Sequence, residues 1–179
     1  MGTKISALAM GVGVTFLAVG LCGCPNEWPP PPFDTTGTYQ GTWQGKTNEA
    51  DKAEVQVIEG CPLTLTLEQD VSANYPADHG VKGTAVIDYS CLLLPEWVGE
   101  IPPATVNMTG LLADDGKMTL LSGGCGTGLC LVLTLAGEGA DVDADGAMDT
   151  YNGAWAFTIL LAGVQPFGVT GTFEVAAVD

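Results

Sequence analysis

Leu63, Leu65 and Leu67 alternate with Thr64, Thr66 and Glu68, and this two-residue period recurs in run after run from Thr36 onward. A strand points successive side chains to opposite faces, so the alternation puts apolar groups on one side of a sheet and polar groups on the other. Val81, Gly83, Ala85, Ile87 and Tyr89 share a face opposite Lys82, Thr84 and Asp88. Leu131, Leu133 and Leu135 repeat the pattern, as do Trp155, Phe157, Ile159 and Leu161. Val169, Gly171, Phe173 and Val175 stand against Thr170, Thr172 and Glu174. No 3.6-residue stripe competes with this period, which predicts an all-β chain.

Turn signals separate the runs: Glu59-Gly60-Cys61-Pro62, Asp78-His79-Gly80, Ile101-Pro102-Pro103, Asp114-Asp115-Gly116 and Ser122-Gly123-Gly124. About eight strands result, at 37–45, 63–69, 81–90, 104–112, 117–122, 129–137, 151–162 and 167–177, and Lys52–Ile58 is a candidate ninth. Asp114-Asp115-Gly116 is the clearest tight hairpin, its Asp-Gly suited to the positive φ of a primed turn. Most links are short, which favours pairing between sequence neighbours, and closing the first strand on the last would remove both exposed edges. We therefore expect an antiparallel up-and-down barrel, with a two-sheet β-sandwich as the alternative.

Gly41-Thr42-Trp43 in the first strand resembles the Gly-x-Trp opening of lipocalins and of avidin-like barrels. The resemblance implies a barrel and transfers no ligand. The arginine that lipocalins pack across this tryptophan has no counterpart, because the chain contains none, and Trp43 reads as a core aromatic.

Cys61, Cys91, Cys125 and Cys130 form an even set within the β region. Pairing strand 63–69 with 81–90 about a turn near Pro76 sets Cys61 opposite Cys91. Cys125 and Cys130 flank Gly-Thr-Gly-Leu in a hairpin loop. We expect disulfides Cys61–Cys91 and Cys125–Cys130, the first contributing about 3–4 kcal/mol through chain entropy. Zinc is the competing reading, but the spacing lacks paired C-x2-C knuckles.

Asp141-Val-Asp143-Ala-Asp145-Gly146-Ala147-Met-Asp149-Thr-Tyr-Asn152 is the most chemically specific stretch. Oxygen ligands at the first, third, fifth and ninth positions, with glycine at the sixth, let a loop wrap a hard cation, and the Ala147 carbonyl can add a backbone ligand. The pattern resembles the Asp-rich calcium loops of EF-hands, dockerins and thrombospondin type 3 repeats. Asn152 stands where an EF-hand has its bidentate Glu, and strand-like alternation replaces the flanking helices. The expectation is one structural Ca2+ held by Asp141, Asp143, Asp145, Ala147, Asp149 and Asn152. A solvated acidic turn is the alternative.

Ahead of the strands, Lys4 precedes an apolar run, Ile5–Leu21, interrupted only by Ser6 and Thr15. A positive start, a short apolar core and small residues at its end make a secretory signal. Leu21-Cys22-Gly23-Cys24 follows and resembles the lipobox of bacterial lipoproteins. That resemblance implies cleavage after Gly23 and diacylglycerol on the Cys24 sulfur; Cys22 is a poorer acceptor, with bulky Leu21 before it. Each buried methylene adds about 0.8 kcal/mol of membrane affinity, so two or three acyl chains anchor durably. Pro25–Asp34, with four consecutive prolines, favours an extended spacer. The expected organisation is a signal peptide (1–23), a lipid-anchored Pro-rich linker (24–35) and an all-β domain (36–179). The domain would sit outside the cytoplasm on a cell membrane or outer membrane.

Composition narrows the function. After residue 23 four lysines face all 21 acidic side chains, a balance of −17, and such a chain lacks the cations needed to displace counterions from nucleic-acid phosphates. His79, the only histidine, reads as an exposed turn residue. No Gly-x-Ser-x-Gly, His-Glu-x-x-His or phosphate-binding glycine loop occurs. Glu96 and Glu100 flank Trp97 in a long connection, and nothing in the sequence positions them as a catalytic pair. Two classes of function remain: a surface interaction module for a protein, glycan or small molecule, and a purely structural envelope component. An enzyme such as a carboxylate-based hydrolase is a distant third. Apolar inward residues favour a filled barrel over a ligand chamber. Trp97 is the best surface residue for a partner contact.

Overall fold

The computed structural model describes residues 29–48, 56–70, 79–92, 96, 102–126, 129–161 and 167–178. The signal segment, Cys24, residues 25–28, Trp97 and Glu100 lie outside them. The strands are β1 (Gly37–Asn48), β2 (Gln56–Gln69), β3 (Gly80–Ile87), β4 (Ala104–Leu112), β5 (Lys117–Gly126), β6 (Leu129–Ala140), β7 (Thr150–Leu161) and β8 (Phe167–Ala177). Each pairs antiparallel with its sequence neighbour, and β8 returns to β1 from Tyr39↔Ala177 to Asn48↔Gly168. The result is a closed eight-stranded barrel, so the sandwich alternative falls.

The alternation sets the barrel's polarity. Tyr39, Leu65, Met108, Leu120, Tyr151 and Ile159 point inward and are essentially inaccessible. Burial of each such side chain contributes about 1.5–3 kcal/mol. Thr42, Gln44, Thr66, Glu68, Thr172 and Glu174 point outward and are exposed. An apolar inside and a polar outside are the reverse of a lipid-embedded barrel.

Two rims follow from the strand order. The near rim carries the N-terminal segment, the C-terminus and the β2–β3, β4–β5 and β6–β7 connections; the far rim carries the other four connections. Phe33 and Thr35 are buried at the near rim, so the domain boundary drawn after residue 35 falls inside packed structure. His79, expected to be exposed, is buried there as well. Its Nδ1 lies 2.7 Å from the Leu112 carbonyl oxygen and its Nε2 lies 2.9 Å from that of Pro29. The reason is the N-terminal segment, which lies across the turn and covers the ring.

Local departures from the expected pattern have physical causes. Glu59-Gly60-Cys61-Pro62 is not a turn: β2 runs through it as one strand and absorbs the candidate ninth strand from Gln56 onward. Between Trp43↔Cys61 and Gly45↔Ile58, two β2 residues oppose one β1 residue, a bulge in which Gly60 takes φ +65°. Ser122-Gly123-Gly124 is likewise interior to a strand, since β5 continues to Gly126. The 113–116 turn is not primed: the Gly116 N–H bonds Ala113 O, the Ala113 N–H bonds Lys117 O, and Gly116 sits at φ +82°. That combination is a type I turn closed by a glycine bulge.

Both disulfides form as expected, with Cα–Cα distances of 5.9 Å for Cys61–Cys91 and 4.0 Å for Cys125–Cys130. The reasoning behind the first needs correction. Leu63 pairs with Ile87, two residues away from the register centred on Pro76. In that ladder Cys61 would face Tyr89, and a 3-10 turn at Tyr89–Cys91 curls back to bring Cys91 to it.

Closure requires strands to pass close together. A Cβ built on Gly171 would lie 1.8 Å from the Gln44 carbonyl oxygen of β1, a backbone atom that cannot step aside. Gly171→Ala should therefore cost about 3 kcal/mol and lower the thermal midpoint by about 10 °C. Gly123→Ala, where a Cβ meets nothing within 4 Å, should leave the midpoint within about 2 °C. Scanning calorimetry of the two variants checks the pair, and equal midpoints would contradict this packing.

Candidate functional site

The acidic stretch becomes a near-rim loop between Ala140 and Thr150. The Asp149 N–H bonds the Ala140 carbonyl at 2.8 Å and continues the β6–β7 ladder to the loop's base. Within the loop, carboxylates hold backbone amides. Asp141 accepts from Asp145 N at 3.2 Å and Gly146 N at 2.9 Å. Asp149 Oδ2 accepts from Val142 N at 2.5 Å and Asp143 N at 3.4 Å. Ala144 (φ 63°) and Gly146 (φ 92°) make the two left-handed bends that fold the chain around these groups.

One carboxylate oxygen each from Asp141, Asp143 and Asp149 lie within 4.8 Å of one another. Oxygens bound to one Ca2+ at about 2.4 Å can lie at most about 4.8 Å apart, so this triad has the span of a calcium ligand set. Among the described residues it is the one cluster of acidic, histidine or cysteine side chains with that spacing. The other expected ligands are placed differently. Asp145 Oδ1 accepts from the Ala147 N–H at 2.8 Å, and Asp145 is not part of the triad. Asn152 is an exposed residue of β7 between Glu138 of β6 and Glu174 of β8. Three strand residues from Asp149, it lies about 10 Å further along the barrel wall.

Sequence reasoning missed what fixes this loop to the barrel. Met148 is buried, and a Cβ on Gly139 would touch both its Sδ (2.7 Å) and the Phe33 ring (2.8 Å). Asp34 bridges to Ala147 in parallel: Asp34 N donates to Gly146 O at 2.8 Å, and Met148 N donates to Asp34 O at 2.9 Å. The only sequence trace of this docking is apolar Met148 inside an acidic stretch and Phe33 at the end of the prolines. Beneath the loop, the Tyr39 hydroxyl donates to Thr35 O at 3.0 Å. Burial, with the Asp34 and Asp149 charges adding to it, pushes that phenol up to about 12.

The barrel interior offers little room. Its apolar void, lined by Trp43, Leu63, Ile87, Tyr89, Leu133 and Trp155 among others, measures about 20 Å3, space for a single water. Trp43 and Trp155 meet edge to face, 4.5 Å between centroids. The Trp43 Nε1 is buried without a hydrogen-bond partner, at a cost of about 1–3 kcal/mol. Trp43 is thus a core aromatic, and its neighbour is a second tryptophan. No protein-family model, curated protein or solved structure matches the chain, so its chemistry is read from its own residues.

The raised phenol gives a pH prediction. Folding favours the neutral hydroxyl of Tyr39, whose ordinary value is 10.0, so its contribution is complete below pH 10 and is lost as pH rises toward 12. Tyr151, buried and donating to Met118 O, is raised by burial and adds in the same direction. Urea midpoints should fall between pH 10 and 12, and Tyr39→Phe should flatten part of that fall. A slope unchanged by the substitution would refute the assignment.

Proposed function

We propose that this chain is a lipid-anchored protein of a bacterial cell envelope, with a barrel that works outside the cytoplasm as an interaction module. The carrying observation is the barrel itself: a packed apolar interior with room for one water, enclosed by a mostly polar outer wall that exposes Val86, Leu111, Leu121 and Leu160. A body of this kind meets its partners on rims and wall, because the void among its described core residues holds only a single water. Among the described residues no helix is long and apolar enough to cross a membrane. Attachment in this reading runs through acyl chains on Cys24 and the Pro-rich segment that docks at the near rim. Trp97, which lies outside the described residues, is the contact residue this reading favours.

The near-rim loop is the proposed Ca2+ site. Asp141, Asp143 and Asp149 supply convergent oxygens, and a divalent cation among them relieves the mutual repulsion of the loop's carboxylates. The role is structural: with Asp34 tied to the loop at Gly146 and Met148, an ion held by Asp141, Asp143 and Asp149 would join the loop's start to its end.

Two measurements test these readings. The native chain should partition with membranes and have the mass of an acylated species starting at Cys24, whereas Cys24→Ser should be soluble; an unacylated native chain retaining Met1 rejects the anchor. Ca2+ at 100 times its dissociation constant should stabilise the fold by about 2.7 kcal/mol, raising the thermal midpoint by about 5–10 °C. Asp143→Ala should abolish that shift. A midpoint indifferent to Ca2+ and to chelator rejects the ion.

A further inference from the structure

The wall of the barrel is not zipped evenly. β4 and β5 are joined by the tight 113–116 turn and pair in register from Leu112↔Met118 to Thr109↔Leu121. Beyond those four pairs both strands continue: Ala104–Met108 keep their partners on β3, and Ser122–Gly126 keep theirs on β6. In the hairpin's own register Asn107 would meet Gly123, and Val106 would meet Gly124. Those pairs are not made. The two strands part toward the far rim, and among the described residues each leaves an edge of five residues without a ladder partner on that side.

Such an edge is a chemical template. Alternate residues along it direct N–H and C=O groups into the gap, and an extended backbone is the group that satisfies a row of them. Natural edges are blunted by charge, by proline or by cover. Here β4 carries no charged residue, and β5 carries only Lys117 at its opposite end, in a chain with a net charge of −16. Pro102 and Pro103 stop β4 from extending, but neither edge contains proline. Among the described residues the seam is uncovered on its faces: Thr105, Asn107, Gly123, Gly124 and Cys125 are exposed, and a Cβ on either glycine meets nothing within 4 Å. The inward side of the gap is apolar, with Ala104, Val106 and Leu131 only partly covered against the core.

We propose that this gap is a docking site for an extended peptide segment of a partner protein, which completes the wall as a ninth strand. The edge length sets about five residues. The uncharged walls select an uncharged segment, and the partly covered core residues select apolar side chains at alternate positions. The guest runs antiparallel to one edge and parallel to the other, both being viable ladders. The chain's own described termini do not suit the role. Pro29–Pro32 lack N–H donors and sit at the near rim, and the C-terminal residues are already paired in β8. The inference rests on reading the barrel as an interaction module and gives that module its partner chemistry.

Hydrogen–deuterium exchange of the full-length chain in detergent tests it. In the free chain, seam-facing amides of 104–108 and 122–126 should exchange freely, while those of 109–112 and 118–121 are protected. An acetylated and amidated five-residue peptide alternating threonine and valine, at millimolar concentration, should slow exchange at least tenfold in those two segments alone. Gly123→Glu with Asn107→Glu should remove that effect without moving the thermal midpoint. Protection in the free chain matching that of 109–112 would mean a closed wall and overturn the proposal. So would a peptide without effect, or protection that grows with protein concentration alone, which would make a second copy the occupant. A failed membrane-anchoring experiment leaves this exchange result intact, so the two readings fail separately.

Discussion

The ladder between β1 and β8 is the constraint on which the rest of the molecule depends. It joins the first strand to the last through ten consecutive pairs and turns an eight-strand meander into a wall with no free first or last edge. Everything inside is then defined by one rule, the inward half of each alternation. The closure has a steric condition, met on β1 by Gly41 and on β8 by Gly171, where a side chain would strike the facing backbone. The contrast with β4 and β5 is informative. There the inward and outward positions past Leu121 are Ser122, Gly123 and Gly124, which bring little side-chain area to hold two strands together.

Much of this architecture was legible because the two-residue period is read from side chains that the barrel itself sorts. Strands 104–112 and 167–177 end where the alternation ends. Glycine and proline misled in two places for one reason: their local preference for turns was overridden by pairing. Pro62 lies beyond the β3 ladder, which begins at Leu63, so its missing N–H leaves no bond unmade on that side. Gly123 and Gly124 are held straight by β6, to which Cys125–Cys130 staples the strand. The Cys61–Cys91 pairing came out correctly through a register two residues off, because a 3-10 turn made up the difference.

The candidate site was legible in its chemistry and not in its setting. The spacing of aspartates in 141–149 marks a loop that can wrap, since ligands at alternate positions with a glycine bend are local properties. Asn152 reads locally as part of the loop, whereas its ladder with Glu138 and Glu174 makes it a residue of the wall. Nor could the sequence announce that Asp34, more than a hundred positions away, would grip Gly146 and Met148. His79 belongs with these cases, because its burial depends on a distant segment lying over it.

The grip of the N-terminal segment on the near rim has a geometric consequence. A chain leashed to a bilayer through residues ahead of Pro29 cannot tumble freely on its leash, because the last stretch is already welded to the barrel beside the 141–149 loop. The barrel's axis is therefore polarised. On the proposed anchor the loop's carboxylates would face the headgroups, with the far rim about 30 Å away, the rise of a 12-residue strand tilted as barrel strands are. The Cys125–Cys130 disulfide lies at that far end, opposite the 141–149 loop.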